Sequence, residues 1–393
     1  MPFYVKQGNI PAKRHTQFKQ PDGSLYKEQH MSREGFSNIY SNLYHIHPPT
    51  QVKKVGKFTP FSFEEWSGEH RHCHFRSGKI KSAGDPISSR IPLLFNSDVT
   101  LLKSHAAESM DYFYRNSHAD ETIFVHIGSG TFHSYLGDLT FEKGDYIVIP
   151  KGVIWKMSME SECRFLIIET AGPMETPRRY RNEHGQLMEH SPFCERDIRT
   201  PELQDAKDET GDFTILTKVQ GGTQSYIYAN HPFDVVGWDG FYFPWIFNIG
   251  DFEPITGRVH QPPPVHQTFQ APGLVVCSFV PRLFDYHPEA IPAPYAHSNV
   301  DSEEVIFYVE GNFMSRKGME EESITFHPAG PPHGPQPGKT EASIGEKETT
   351  ELAVMVDTFH PLKKTVACKD IDDPKYPLSW LDGGDYKDLL SLE

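Results

Sequence analysis

The chain has 393 residues, enough to bury a large core and to hold two domains or one duplicated unit. Its 53 acidic and 38 basic residues leave a formal net charge of −15 with histidine neutral, spread along the chain, which opposes a phosphate backbone and argues against nucleic acid as a partner. No apolar stretch approaches the length of a membrane span, and the start, Met1-Pro-Phe-Tyr-Val-Lys-Gln-Gly8, lacks the basic-then-apolar order of a secretory signal. The five cysteines, Cys73, Cys163, Cys194, Cys277 and Cys368, are scattered and form no C-x-x-C pair. Neither a disulfide framework nor a structural zinc site is indicated, and a reducing, cytoplasmic setting is expected.

Residues 1–60 are polar, basic in patches and irregular, and read as an N-terminal arm lying over another part of the protein or a neighbouring subunit. His70, His72 and His74 follow as the densest run of potential ligands. Alternation puts them on one side of a strand, which a soft metal could use. No distant residue of suitable spacing stands out, so a polar strand face or a surface loop is the better reading. From about residue 90 short apolar runs appear, each bounded by Gly, Pro or Asp: Leu93–Phe95, Thr122–Ile127, Tyr146–Ile149 and Phe165–Ile168. Together with 32 prolines this spacing predicts short strands and an all-β barrel or sandwich.

Toward the C-terminus two stretches stand out, Pro294-Tyr-Ala-His297-Ser-Asn-Val-Asp-Ser-Glu303 and Pro328-Ala-Gly-Pro-Pro-His333-Gly-Pro335. Two imidazoles and one carboxylate on one face of an ion leave open positions, the arrangement of non-haem Fe(II) oxygenases. Glu303 leads into Val305–Val309, a predicted strand ended by the turn Gly311-Asn312. Ser323–Phe326 is a second strand, running into the Pro328-x-Gly330-x-x-His333 bend. Antiparallel pairing would bring His297, Glu303 and His333 together. The alternative is that they are ordinary surface residues of a chain with 21 histidines.

An internal repeat favours a barrel. Asp120-Glu121-Thr-Ile-Phe124 with Gly128 parallels Glu303-Glu304-Val-Ile-Phe307 with Gly311, and Ile149-Pro150-Lys-Gly152-Val-Ile-Trp155 parallels His327-Pro328-Ala-Gly330-Pro-Pro-His333. Both units resemble cupins, which implies a mainly β fold: a duplicated double-stranded β-helix (jelly-roll) barrel with an extended N-terminal arm. Residues 61–220 would form an N-terminal β domain with a degenerate cupin, and 221–393 a C-terminal cupin-like catalytic domain. Trp155 stands where His333 stands, and an indole has no lone pair for a metal. Asp120 and His118 remain as potential ligands, but the first copy is expected to be structural, without a metal.

Further blocks carry a narrower resemblance. His231-Pro-Phe-Asp-Val-Val-Gly-Trp238-Asp-Gly, Pro294-Tyr-Ala-His297-Ser-Asn299, Ser302-Glu303 and Pro332-His333-Gly-Pro335 are similar to homogentisate 1,2-dioxygenases over roughly residues 80–360. The resemblance implies O2-dependent ring cleavage of 2,5-dihydroxyphenylacetate to maleylacetoacetate, in tyrosine and phenylalanine breakdown. It also implies one Fe(II) per subunit of a homo-oligomer, a trimer or hexamer. Carried over, the iron ligands fall on His297, Glu303 and His333. The general base falls on His260, with His266 as the fallback. A further active-site histidine falls on His327, which would orient substrate, bond an oxygen intermediate, or only position a ligand. No Gly-rich dinucleotide loop is present, in keeping with a reaction that needs no organic cofactor.

One departure concerns the substrate. The family's tyrosine after this strand is Phe313 here, and the register needs one extra residue, since Glu304 doubles Glu303. Tyr308 or Tyr295 would have to supply a phenol donor. This keeps open a related dioxygenase acting on another dihydroxylated aromatic acid, such as gentisate. Also open are a zinc isomerase and a non-catalytic cupin that binds small molecules.

Overall fold

The computed structural model describes residues 3–381. Its fold is mainly β, of the duplicated cupin type, and Lys339–Ser343 is a short helix of five residues. The apolar runs fold as strands because β-branched and aromatic side chains fit a pleated surface buried on both faces. Thr122–Ile127 lies in Asp120–Ile127, Phe165–Ile168 in Cys163–Thr170, and Val305–Val309 in Glu303–Glu310.

The chain divides into two compact units. One holds Met1–Phe63, Ser82–Arg90 and Leu102–Asn248; the other holds Glu64–Lys81, Ile91–Leu101 and Ile249–Glu393. This corrects the expected division at two places. Residues 1–60 are no separate arm: Val5–Gly8, Lys27–Glu34 and Ser37–His45 join Val235–Gly240 in a four-stranded sheet, and Val52–Pro60 pairs with Gly222–Asn230. Val5–Gly8, Lys27–Glu34 and Val52–Pro60 bury no residue fully, and the buried end of Ser37–His45, Ser41–His45, is mostly polar, so the stretch reads as irregular chain. The first unit also runs past residue 220. Gly221 only turns the hairpin between Thr210–Val219 and Gly222–Asn230, and Val235–Gly240 and Trp245–Asn248 still belong to this unit.

In the first unit Asp120–Ile127 runs between Asp145–Ile149 and Cys163–Thr170, and all of it but Ile127 is buried. Gly128 ends this strand with φ +97°, and a Cβ there would stand 2.4 Å from Cys163 Sγ. In the second unit Gly311 ends Glu303–Glu310 with φ +98°, and its Cβ would meet the Thr350 carbonyl oxygen at 2.3 Å. Both positions therefore require glycine.

Where the first unit parallels the second, its interior is filled. Trp155 is fully buried between Tyr114 and Phe132, with ring centroids at 5.2 and 5.3 Å. His118 is exposed, while Asp120 accepts from Arg33 and from the Lys151 backbone N–H at 3.1 Å. Glu121 and Glu169 face each other across paired strands. Arg90 joins them, at 2.6 Å from Glu121 and 3.2 Å from Glu169, and Lys218 donates to Glu169. Two buried carboxylates are thus balanced by two cations. Arg90→Met would leave that balance broken and is expected to destabilise the protein by about 3–5 kcal/mol, read as a lowered denaturant midpoint at unchanged m.

In the second unit one sheet orders its strands Gln267–Ala271, Leu274–Phe279, Leu352–Thr358, Glu303–Glu310, Ser323–His327 and Cys73–Arg76. Glu303–Glu310 and Ser323–His327 pair antiparallel, Glu304 opposite His327.

Candidate metal centre

Side chains alternate along Glu303–Glu310, so adjacent glutamates point to opposite faces of the sheet. Glu304, Ile306 and Tyr308 line a cavity of about 140 Å³. Glu303 lies on the other face. Its Oε2 accepts the Leu362 backbone N–H at 2.6 Å and its Oε1 that of Ala329 at 3.4 Å. Burial pushes its carboxyl up, against those two bonds. The carboxylate grouped with His297 and His333 in the folded chain is thus that of Glu304, where Glu303 was expected. A shift of one residue moves a strand's side chain to the other face.

His297 and His333 are held side by side by their own backbones. Each N–H donates to the other's carbonyl at 2.8 Å, and the rings stand 4.3 Å apart. One ligand atom each from His297, Glu304 and His333 lies within 4.8 Å of the others. His333 is 2% exposed, yet neither ring nitrogen has a hydrogen-bond partner. A buried imidazole with two orphaned nitrogens beside a carboxylate suits a cation with nitrogen and oxygen ligands. The donor set fits a divalent transition metal with open positions.

A chain of hydrogen bonds backs the carboxylate. Glu304 Oε1 accepts from His327 Nδ1 at 2.7 Å, and His327 Nε2 meets the Tyr376 hydroxyl at 3.0 Å. An ionised carboxylate only accepts, so Nδ1 carries the proton and Nε2 accepts from the phenol. Burial would raise the Glu304 carboxyl, but the His327 bond and the neighbouring imidazoles outweigh it and hold it well below the usual carboxylate range. Burial pushes His327 down to about 3 despite Glu304. Asp357 stands across the next strand pair from Glu304, its Oδ1 without a partner, and burial followed by the Glu304 charge pushes it up to about 8.

The histidine run at His70–His74 is not a loop without partners. Cys73–Arg76 pairs with Ser323–His327, which sets His72 edge-on to His327 and His333 at 5.2 and 5.8 Å. His72 Nε2 donates to the Pro332 carbonyl at 3.2 Å, His70 Nε2 to that of Ala329 at 2.9 Å, and His74 Nε2 bonds Ser323 Oγ at 2.9 Å. About 250 residues of intervening chain hid this pairing. Tyr376 and Trp380, on a short 3-10 helix, were missed outright, since nothing local marks them.

The remaining candidates divide. His260 and His266 both line the cavity. The His260 ring is exposed, with Nδ1 3.2 Å from Asp285 Oδ2. His266 is buried against Phe279 at 4.7 Å, and burial, then Arg282, pushes it down to about 3. Phe313 packs edge-on against Tyr308 at 4.4 Å, and the Tyr308 hydroxyl is 3.2 Å from Thr325 Oγ1. Tyr295 is 64% exposed.

His266 also makes stability depend on pH. Folded, it stays neutral down to about 3; unfolded, it takes a proton near 6.5. Protons therefore favour the unfolded chain between those values, and stability falls as pH falls through that window. Removing the group by His266→Asn is expected to abolish about 2 kcal/mol of the stability lost between pH 7 and pH 5, measured by denaturant titration at both values.

The homogentisate 1,2-dioxygenase N-terminal family model matches residues 37–249. Over 384 residues the chain is 44% identical to "Putative dioxygenase SSO1533" of Saccharolobus solfataricus, covering 97% of this chain and 99% of that one. It is 24% identical to the homogentisate 1,2-dioxygenase of Sinorhizobium medicae, covering 93% of this chain and 87% of that one. Among solved structures it is similar to an oxalate decarboxylase of Lactobacillus farciminis, at 12% identity and a TM-score of 0.35 over 78% of this chain and 91% of that one. With a family model spanning over half its length, this chain belongs to the homogentisate 1,2-dioxygenase family.

Proposed function

We propose that this dioxygenase is an Fe(II) enzyme that opens the ring of a dihydroxylated aromatic acid, with 2,5-dihydroxyphenylacetate as the leading substrate. The reading rests on one observation above all: two imidazoles and one carboxylate, His297, His333 and Glu304, come together where His297 and Glu304 line a cavity. These three would hold the iron, and Glu304 takes the place first given to Glu303. When bound, the iron supplies a Lewis acid for a phenol oxygen and an open position for O2.

The protein's own groups handle the proton. A phenol has a pKa near 10, so its ionisation at pH 7 costs about 4 kcal/mol in water. His260 is the proposed acceptor, because it lines the cavity and Asp285 Oδ2, 3.2 Å from Nδ1, orients the ring. His266, held neutral down to about 3, is a poor base near neutral pH. His327 is already bonded on both sides, to Glu304 and Tyr376, so its role is to position the carboxylate rather than to touch substrate. The five cysteines are unpaired, which suits a reducing compartment. Among the described residues no helix is long and apolar enough to cross a membrane.

Gentisate remains the second reading, and Phe313 is the reason: its ring offers no phenol donor to the substrate. Oxygen uptake by iron-loaded protein on both acids separates the two, and consumption of gentisate alone would transfer the assignment. Glu304→Gln is expected to lower bound iron at least tenfold, whereas Glu303→Gln keeps it; metal analysis of both variants decides between the adjacent glutamates. His260→Gln should retain iron but lose roughly 10²–10⁴ in turnover. Full activity in that variant would remove the base role from His260.

A further inference from the structure

Arg316 brings to the cavity a charge that no carboxylate of its own answers. The residue is 6% exposed and lines the cavity beside Phe313. Its Nη1 donates to the carbonyls of Ser315, at 3.3 Å, and of Gly334. Its Nε has no partner, and the guanidinium lies over the Trp380 ring at 5.6 Å. The other arginine of the wall, Arg282, is matched by Glu351 at 2.9 Å. The carboxylate that acts on Arg316 is Glu304, which belongs to the candidate metal centre.

Arg316 thus shares the Glu304 charge with the candidate metal centre, and a guanidinium fork is shaped to take a carboxylate through two parallel bonds. With a divalent ion present, one carboxylate (Glu304) would face three positive charges, the ion's two and that of Arg316. A ligand carrying a carboxylate and an ionised phenol supplies the two missing negative charges. Neighbouring Ile306, Phe279 and Phe313 present apolar wall to the ring between them.

We propose that Arg316 anchors the substrate's carboxylate, and so makes this cavity select aromatic acids over their neutral esters. The proposal rests on the ring-cleaving reading for the substrate class and adds the residue that recognises it. Phe313 contributes shape, while the anionic end is read three residues further on.

The test is calorimetric binding to the metal-loaded protein without oxygen, using 2,5-dihydroxyphenylacetate, gentisate and the methyl ester of each. The wild type is expected to bind each acid about tenfold or more tightly than its ester, about 1.4 kcal/mol. Arg316→Gln should abolish that preference by weakening the acid, with the ester within about threefold of its wild-type affinity. Arg316→Lys, which keeps the charge but not the fork, should retain part of it. A wild type that binds acid no more tightly than ester, or binds neither, overturns the proposal without any variant having to fold. So does an Arg316→Gln protein with the wild-type preference. Oxygen uptake separates the two readings. An Arg316-dependent acid preference without oxygen uptake sinks ring cleavage and leaves the anchor, whereas oxygen uptake with an unaltered preference in Arg316→Gln sinks the anchor alone.

Discussion

A carboxylate taken out of water must have its charge answered, and the centre of the second unit is organised around that constraint at Glu304. His327 answers it from one side and is itself held by Tyr376. His297 and His333 stand on the other side, fixed by two reciprocal backbone bonds. Glu304 Oε1 lies 3.6 Å from His333 Nε2 and Oε2 4.0 Å from His297 Nε2. Three separate parts of the chain meet behind this carboxylate: His327 bonds it, Tyr376 bonds His327, and His72 packs edge-on to His327.

The two copies of the barrel meet the same problem in different ways. Each places an acid across a strand pair from another acid, Glu121 opposite Glu169 and Glu304 opposite Asp357. In the first copy Arg90 and Lys218 supply the positive charge from within the protein, and Trp155 fills the interior. In the second, Asp357 is driven toward its neutral form and His333 keeps two ring nitrogens free. One copy is internally balanced. The other keeps its imidazoles and Arg316 around Glu304 at the cavity and does not fill the space with an indole.

Much of this was legible locally. Short apolar runs between turn residues predicted strands, and they fold as strands, because burial on both faces selects β-branched and aromatic side chains in runs of that length. The paired glycines Gly128 and Gly311 marked equivalent turns, and both adopt positive φ against a neighbouring strand. The polar strands before residue 60 left no such signal, since three of them bury no residue fully and the buried end of Ser37–His45 is mostly polar. Nor did the histidine run at His70–His74, whose partners lie near residue 330.

Taken alone, the sequence determined the fold class, the duplication, and the short segments from which the candidate ligands come, because strand length, turn chemistry and repeated motifs are local properties. It placed the candidate carboxylate ligand at Glu303, whereas Glu304 is the one grouped with His297 and His333. Spacing along the chain favours the first, while the pleat turns the first toward the Ala329 and Leu362 backbone and the second into the cavity. That choice belongs to strand register, and register is set by which neighbours a strand pairs with. The same holds for Tyr376 and Arg316. Their chemistry comes from what packs around them, and only the tertiary structure brings that together.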